Sequence, residues 1–181
     1  CVGREEEGGE LQGQNQSPSC KLHARQGVGR QRAEQKSGDH FEHIAPERVN
    51  GCAYGTINAL SMAGYRSNGA RWVMFSFFGG GHGGHPEGDG LNHGNAPIST
   101  ATIPTLEILE AAYPVAFTQW ALRPDSGGVG KHRGGLGAIY EIELLEESAT
   151  VFLFGERGKF PPPGVVGGGA GAMNKFAYQS A

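Results

Sequence analysis

Glycine constrains this chain more than any other residue: it fills 32 of 181 positions, more than twice the usual share of ~7%. The glycines come in clusters with no Gly-x-y period, which argues against collagen, and apolar runs separate the clusters, which argues against a flexible linker. From Gly79 to Gly90, seven of twelve positions are glycine. Each would cost a helix or strand about 0.5–1 kcal/mol relative to alanine, so the segment has to be a loop. Gly127 to Gly135 and Gly164 to Gly171 read the same way.

Between the loops the apolar runs are short, β-branched or aromatic. Trp72 to Phe78 reads as a strand, as do Ala138 to Leu144 and the continuous apolar run Thr150 to Phe154. Val115, Phe117, Trp120 and Leu122 keep an imperfect period of two, broken by Thr118 and Gln119, and Pro124 with Asp125-Ser126-Gly127-Gly128 ends that strand near Arg123. Two segments read as helical. Thr56 to Met62 has helix-compatible Ile57, Leu60 and Met62; Thr105 to Ala112 is the better one, with Pro104 early and Tyr113-Pro114 as its stop. The fold class expected is α+β: mainly antiparallel β with short helices and long glycine-rich loops, and with Trp120, Tyr140 and Phe152 in one apolar interior.

Residues 1–43 stand apart. Every Phe, Tyr and Trp lies at or after Phe41, and the preceding residues carry an acidic cluster at Glu5-Glu6-Glu7 with Glu10, then a basic region from Lys21 to Lys36. Such composition buries too little apolar surface to offset ordering entropy, so a disordered leader is expected, followed by one folded unit over 44–181. The basic charges are interrupted and the net charge is -3, which disfavours nucleic-acid binding. Cys1, Cys20 and Cys52 are an odd, widely spaced set that fits a reducing compartment, and no apolar run reaches the ~18 residues of a membrane span, so a cytoplasmic location is expected.

Several motifs suggest chemistry. Gly79-x-Gly81-x-x-Gly84 follows a strand and matches the dinucleotide fingerprint, but Pro86, Gly88 and Gly90 forbid the helix needed to hold a pyrophosphate. A phosphate loop fails after Asp125, which stands where the first glycine is required, because His132 rather than Ser or Thr follows Gly130-Lys131. His82, His85, Asp89 and His93, with Glu87, offer imidazole and carboxylate groups within twelve residues, a set compatible with zinc or manganese; equally they form a substrate-lining loop with local hydrogen bonds. Lys131 and Arg133 suit a carboxylate or phosphate, or are exposed corner charges. Cys52, among small residues, reads as a packing cysteine, and Ser126 with Asp125 as turn capping rather than a triad with His132. No residue is assigned as catalytic.

These segments resemble the hydantoinase B/oxoprolinase family. The resemblance rests on Pro46-Glu47-Arg48-Val49, the glycine loop ending Asp89-Gly90, the helix from Pro104 to Tyr113-Pro114, Leu122-Arg123 leading into Ser126-Gly127-Gly128 and on to Gly135, and the closing Phe160 to Gly164 and Gly167 to Gly171, in family order over about Ile44 to Ser180. It implies a B-type subunit or domain of enzymes that open cyclic amides such as hydantoins and 5-oxoproline, with an A-type partner that uses ATP; related assemblies carboxylate ketones. It also implies that the chain is a C-terminal fragment whose missing N-terminal half carries the metal-binding residues. The fragment is then expected to be inactive alone and to bind no cofactor, while the complete enzyme uses ATP and a divalent metal. His82, His85, Asp89, His93, Lys131 and Arg133 are the substrate-lining candidates. A noncatalytic interface module of a ketone carboxylase complex, or an independent metal hydrolase built on His82, His85 and Asp89, are the alternatives.

Overall fold

A computed structural model describes residues 20–25, 43–55, 57–95 and 103–180. Among the described residues these elements follow in order: β1 Cys20–Arg25, a 3-10 turn at Pro46–Arg48, β2 Asn58–Tyr65, β3 Arg71–Phe78, the short helix α1 Leu106–Ala112, β4 Val115–Leu122, β5 Ala138–Leu144, β6 Ala149–Phe154 and β7 Lys175–Ser180. The strands form two antiparallel sheets, ordered β4-β5-β1-β7 and β3-β2-β6. Each half-buried sheet needs its apolar face covered, and the two cover each other. Leu60, Met62, Trp72, Met74 and Phe78 from one sheet meet Val115, Ala138, Tyr140, Ile142 and Leu144 from the other.

The imperfect period of β4 has a geometric cause. A bulge between Phe117 and Gln119 leaves Thr118 as an extra residue, so Val115 and Phe117 lie opposite Leu144 and Ile142, and beyond it Trp120 and Leu122 lie opposite Tyr140 and Ala138. One inserted residue keeps four apolar side chains opposite the core-facing row of β5 although the sequence shifts phase. The helix forms where expected, one residue shorter: Tyr113 turns extended and donates its N–H to the Leu109 carbonyl at 2.9 Å, and Arg66 Nη2 donates to the last-turn carbonyl of Ala112 at 2.8 Å.

Three expectations are corrected. The helix-compatible stretch ending at Met62 is instead β2, with Thr56 outside the described residues. β2 is central in its sheet, hydrogen-bonded to β3 and β6, and this pairing overrides a weak local helical pattern by burying Asn58, Leu60 and Met62 two apart on one face. Within the leader, Cys20–Arg25 is a strand between β5 and β7, because its backbone completes ladders on both sides. The rest of the expected leader, residues 1–19 and 26–42, lies outside the described residues. Finally, Phe152 does not join Trp120 and Tyr140 in the interior: it is 42% exposed, and its neighbours Val151 and Leu153 pack inward. A continuous apolar run does not reveal which alternate residues face the core, and register decided it.

The two faces of the β2 sheet therefore differ in energetic weight. Leu60→Ala is expected to lower unfolding stability by about 2–5 kcal/mol, whereas Phe152→Ser should change it by no more than about 0.5 kcal/mol; urea titrations of the two variants check this, and a large loss at Phe152 would mean that this ring is buried.

Candidate functional site

The glycine loop after β3 and the corner after β4 are stitched together. Gly90 donates its N–H to the Arg133 carbonyl at 2.8 Å, Gly135 donates to that of His82 at 2.7 Å, and His93 donates to that of Leu136 at 2.9 Å. Side chains add to the seam: Asp89 Oδ1 accepts the Arg133 backbone N–H at 2.7 Å and Asn92 Oδ1 that of Leu136 at 2.7 Å. The C-terminal glycine segment docks on the same corner, with Gly169 N–H to the Val129 carbonyl at 2.7 Å and Ala172 N–H to that of Ser126 at 3.0 Å. Such approach is possible only where no Cβ intervenes. A Cβ on Gly83 would coincide with the backbone of Gly51, and one on Gly90 with the carbonyl oxygen of His82. Ser126, fully buried, donates its hydroxyl to the Arg123 carbonyl and accepts the Gly137 N–H, each at 2.8 Å, so it ties the corner as a cap.

The candidate residues part company on this scaffold. His82 donates Nε2–H to the Asn95 carbonyl at 2.7 Å and sits against Tyr54, with ring centroids 6.2 Å apart. His85 is exposed on a two-residue turn over Pro86 and Glu87, bounded by reciprocal backbone bonds with Gly88. Asp89 also pairs with Arg133 across 3.5 Å, an exposed contact worth little beyond its backbone bond. Lys131 is exposed. Among the described residues, no group of three His, Cys, Asp or Glu side chains is arranged to hold a metal, so the fold does not gather His82, His85 and Asp89 into one. Cys52 is buried beside His132 in a glycine-walled groove of about 60 Å³.

His93 turns inward, its backbone at φ 47°. Indole nitrogen only donates, so the 2.8 Å bond from Trp120 Nε1 makes His93 Nε2 an acceptor, and the Tyr140 hydroxyl donates to the same atom at 2.5 Å. The neutral ring then carries its proton on Nδ1. Burial pushes the His93 pKa down from its ordinary 6.5, opposed by a backbone hydrogen bond, and burial, with Tyr54 nearby, pushes Tyr140 up. Both groups are thus held neutral, and Nε2 has two donors in place. The ring of His93, stacked on Trp120 at 17°, lines an open hollow of about 440 Å³ with Ile103, Pro104, Leu106 and Glu107. Its lining is mostly apolar, with Thr105 and Glu107 as polar members, and it is wide open to solvent. Sequence reasoning did not find Trp120, Tyr140 and Asn92 as partners of this loop. Trp120 and Tyr140 are cross-strand neighbours, and only the β4–β5 register brings them to one histidine.

A two-sheet antiparallel unit whose corner is made of interlocked glycine loops is the class of domain defined here. The family model described as Hydantoinase B/oxoprolinase matches residues 30–181, and the chain belongs to that family. It is 33% identical over 133 residues to caprolactamase subunit beta of Pseudomonas jessenii, covering 70% of this chain and 23% of that one. With 5-oxoprolinase of Dictyostelium discoideum it shares 36% over 89 residues, 49% of this chain and 7% of the other. A nucleotide-free structure of acetone carboxylase, from work on its ATP-dependent acetone carboxylation, superposes with a TM-score of 0.54 at 27% identity over 69% of this chain and 18% of that chain. The chain thus spans less than a quarter of the caprolactamase subunit. No helix among the described residues is long and apolar enough to cross a membrane.

Two measurements test this geometry. Gly83→Ala is expected to cost about 1–3 kcal/mol or more, because the clash is with backbone that cannot move aside; an unchanged urea midpoint would contradict the interlock. Since the folded pKa of His93 lies below its unfolded value, the unfolded chain binds more protons as pH falls below 6.5. Its contribution to stability is present above 6.5 and lost as pH falls through the folded pKa. The melting temperature of the wild type should therefore drop more steeply between pH 7 and about pH 5 than that of His93→Gln; parallel curves would show that His93 is not held neutral.

Proposed function

We propose that this chain is the C-terminal part of a B-type subunit of an ATP-dependent enzyme that opens cyclic amides, with an A-type subunit as partner and a small cyclic amide such as a hydantoin or 5-oxoproline as substrate. The observation that supports it most is the family match over residues 30–181, combined with relatives named for amide-ring chemistry and for a β or B subunit. Within this reading the hollow beside His93 and Trp120 is the surface that meets the substrate ring. His93 orients rather than exchanges protons, since its Nε2 is already bonded twice. His82, His85, Asp89, Lys131 and Arg133 lie outside the lining of that hollow and are further contacts in this reading only from the glycine loop and the corner.

ATP and a divalent metal belong to the complete enzyme in this proposal. A cytoplasmic setting accords with an ATP-using assembly. A second reading, an interface module of a ketone carboxylase, is favoured by the likeness to acetone carboxylase. The purified chain, given hydantoin or 5-oxoproline with ATP and Mg²⁺, should show no turnover, and should co-elute with an A-type subunit on size exclusion. Turnover without another chain would refute the partial-subunit reading, and failure to co-elute would count against the partnership.

A further inference from the structure

The outward face of the β3-β2-β6 sheet is apolar where a solvent face should be polar. Register places Val73, Ala63 and Thr150 in one row across the sheet, Phe75, Ser61 and Phe152 in the next, and Phe77, Ala59 and Phe154 in the third. The central column is small, and the flanking columns are mostly large. Strands lie about 4.8 Å apart, so the two aromatic columns stand about 10 Å from one another with a trough between them. Val73 is 47% exposed, Phe75 52%, Phe152 42% and Phe154 56%, and Phe75 meets Phe77 edge-on at 4.9 Å. None of the nine side chains carries a charge, and the next register pair on this face beyond Val73 and Ala63 is Arg71 with Tyr65 at the end of the ladder.

An uncharged aromatic face of this kind looks like a domain core cut in half rather than the polar surface of a transient contact. We propose that the trough is the seat of the remainder of a B-type polypeptide, which lays an uncharged row of aliphatic side chains along Ser61 and Ala63, the partly open floor beside the buried Ala59. This rests on the reading of the chain as part of a B-type subunit. The occupant follows from length: more than three-quarters of the caprolactamase subunit lies outside the match, 23% being covered. Exposure points the same way, because an apolar face left open invites aggregation and a segment of the same polypeptide covers it sooner than a second subunit could. A separate A-type chain, or a second copy, would leave it open in the interval.

The test places Val73→Cys in the isolated chain and in a chimera where residues 20–181, β1 included, replace the matching part of caprolactamase subunit beta. Maleimide labelling is read by mass spectrometry on the peptide that carries residue 73. Labelling should be fast in the isolated chain and at least roughly tenfold slower in the folded chimera, as at a buried interface centre. Equal rates overturn the proposal. Slow labelling of the isolated chain also overturns it, by showing self-association if its mass in solution is doubled, or cover by its own residues if it is not. Should the chimera fail to fold, intact caprolactamase subunit beta with cysteines at the positions aligned with Val73 and Phe152 reads the same face, and fast labelling there overturns the proposal. Binding of the chimera to the other caprolactamase subunit separates the two ideas. A protected cysteine without binding removes the subunit reading and leaves the docked face; binding with an open cysteine does the reverse.

Discussion

Backbone meeting backbone at glycine is the contact on which the rest of this molecule depends. Three loops that are distant in sequence, before residue 95, around residue 130 and after residue 160, converge close enough that peptide groups pair directly, as in Gly90 with Arg133 and Gly169 with Val129. A side chain at Gly83 or Gly90 would occupy space that another backbone already holds. The interlock also satisfies loop amides and carbonyls that burial would otherwise leave without water, which is why so glycine-rich a chain can be ordered at all. Against the ordering entropy of those glycines stand short, well-placed hydrogen bonds and the sandwich core beneath them.

From that seam the rest is positioned. Because His93 hangs from it by its own N–H to Leu136, its ring arrives between Trp120 and Tyr140, at the junction of loop and core. Two donors on one nitrogen and burial of the ring favour its neutral form. The same seam turns Asp89 and Arg133 toward each other at the surface and leaves His85 on a separate turn. The histidines of this string thereby end in different surroundings, His82 against Tyr54, His85 on an exposed turn and His93 between Trp120 and Tyr140. The sheet that carries the loop has one face in the core and the other lined with exposed phenylalanine.

Most strands were legible in the sequence because each is short, β-branched or aromatic, and flanked by glycine or proline; the helix before Tyr113 was legible from its stop signals. Where the reading failed, nonlocal pairing had settled the matter. Leu60 and Met62 suit a helix turn nearly as well as a strand, and the ladders to β3 and β6 made the difference. Phe152 and Val151 are equally apolar, so nothing local tells which one points inward. The imperfect period of β4 was visible but unexplained until the bulge at Thr118 accounted for it.

By itself the sequence determined that the chain must be loops of glycine punctuating short strands, and which family its motifs resemble, since backbone permissiveness and side-chain branching act within a few residues. Only the tertiary structure decided that His93 meets Trp120 and Tyr140, that Asp89 answers Arg133, and that one sheet shows its aromatic side to the outside. Those outcomes depend on strand register and loop convergence, and both are properties of residues far apart in the chain.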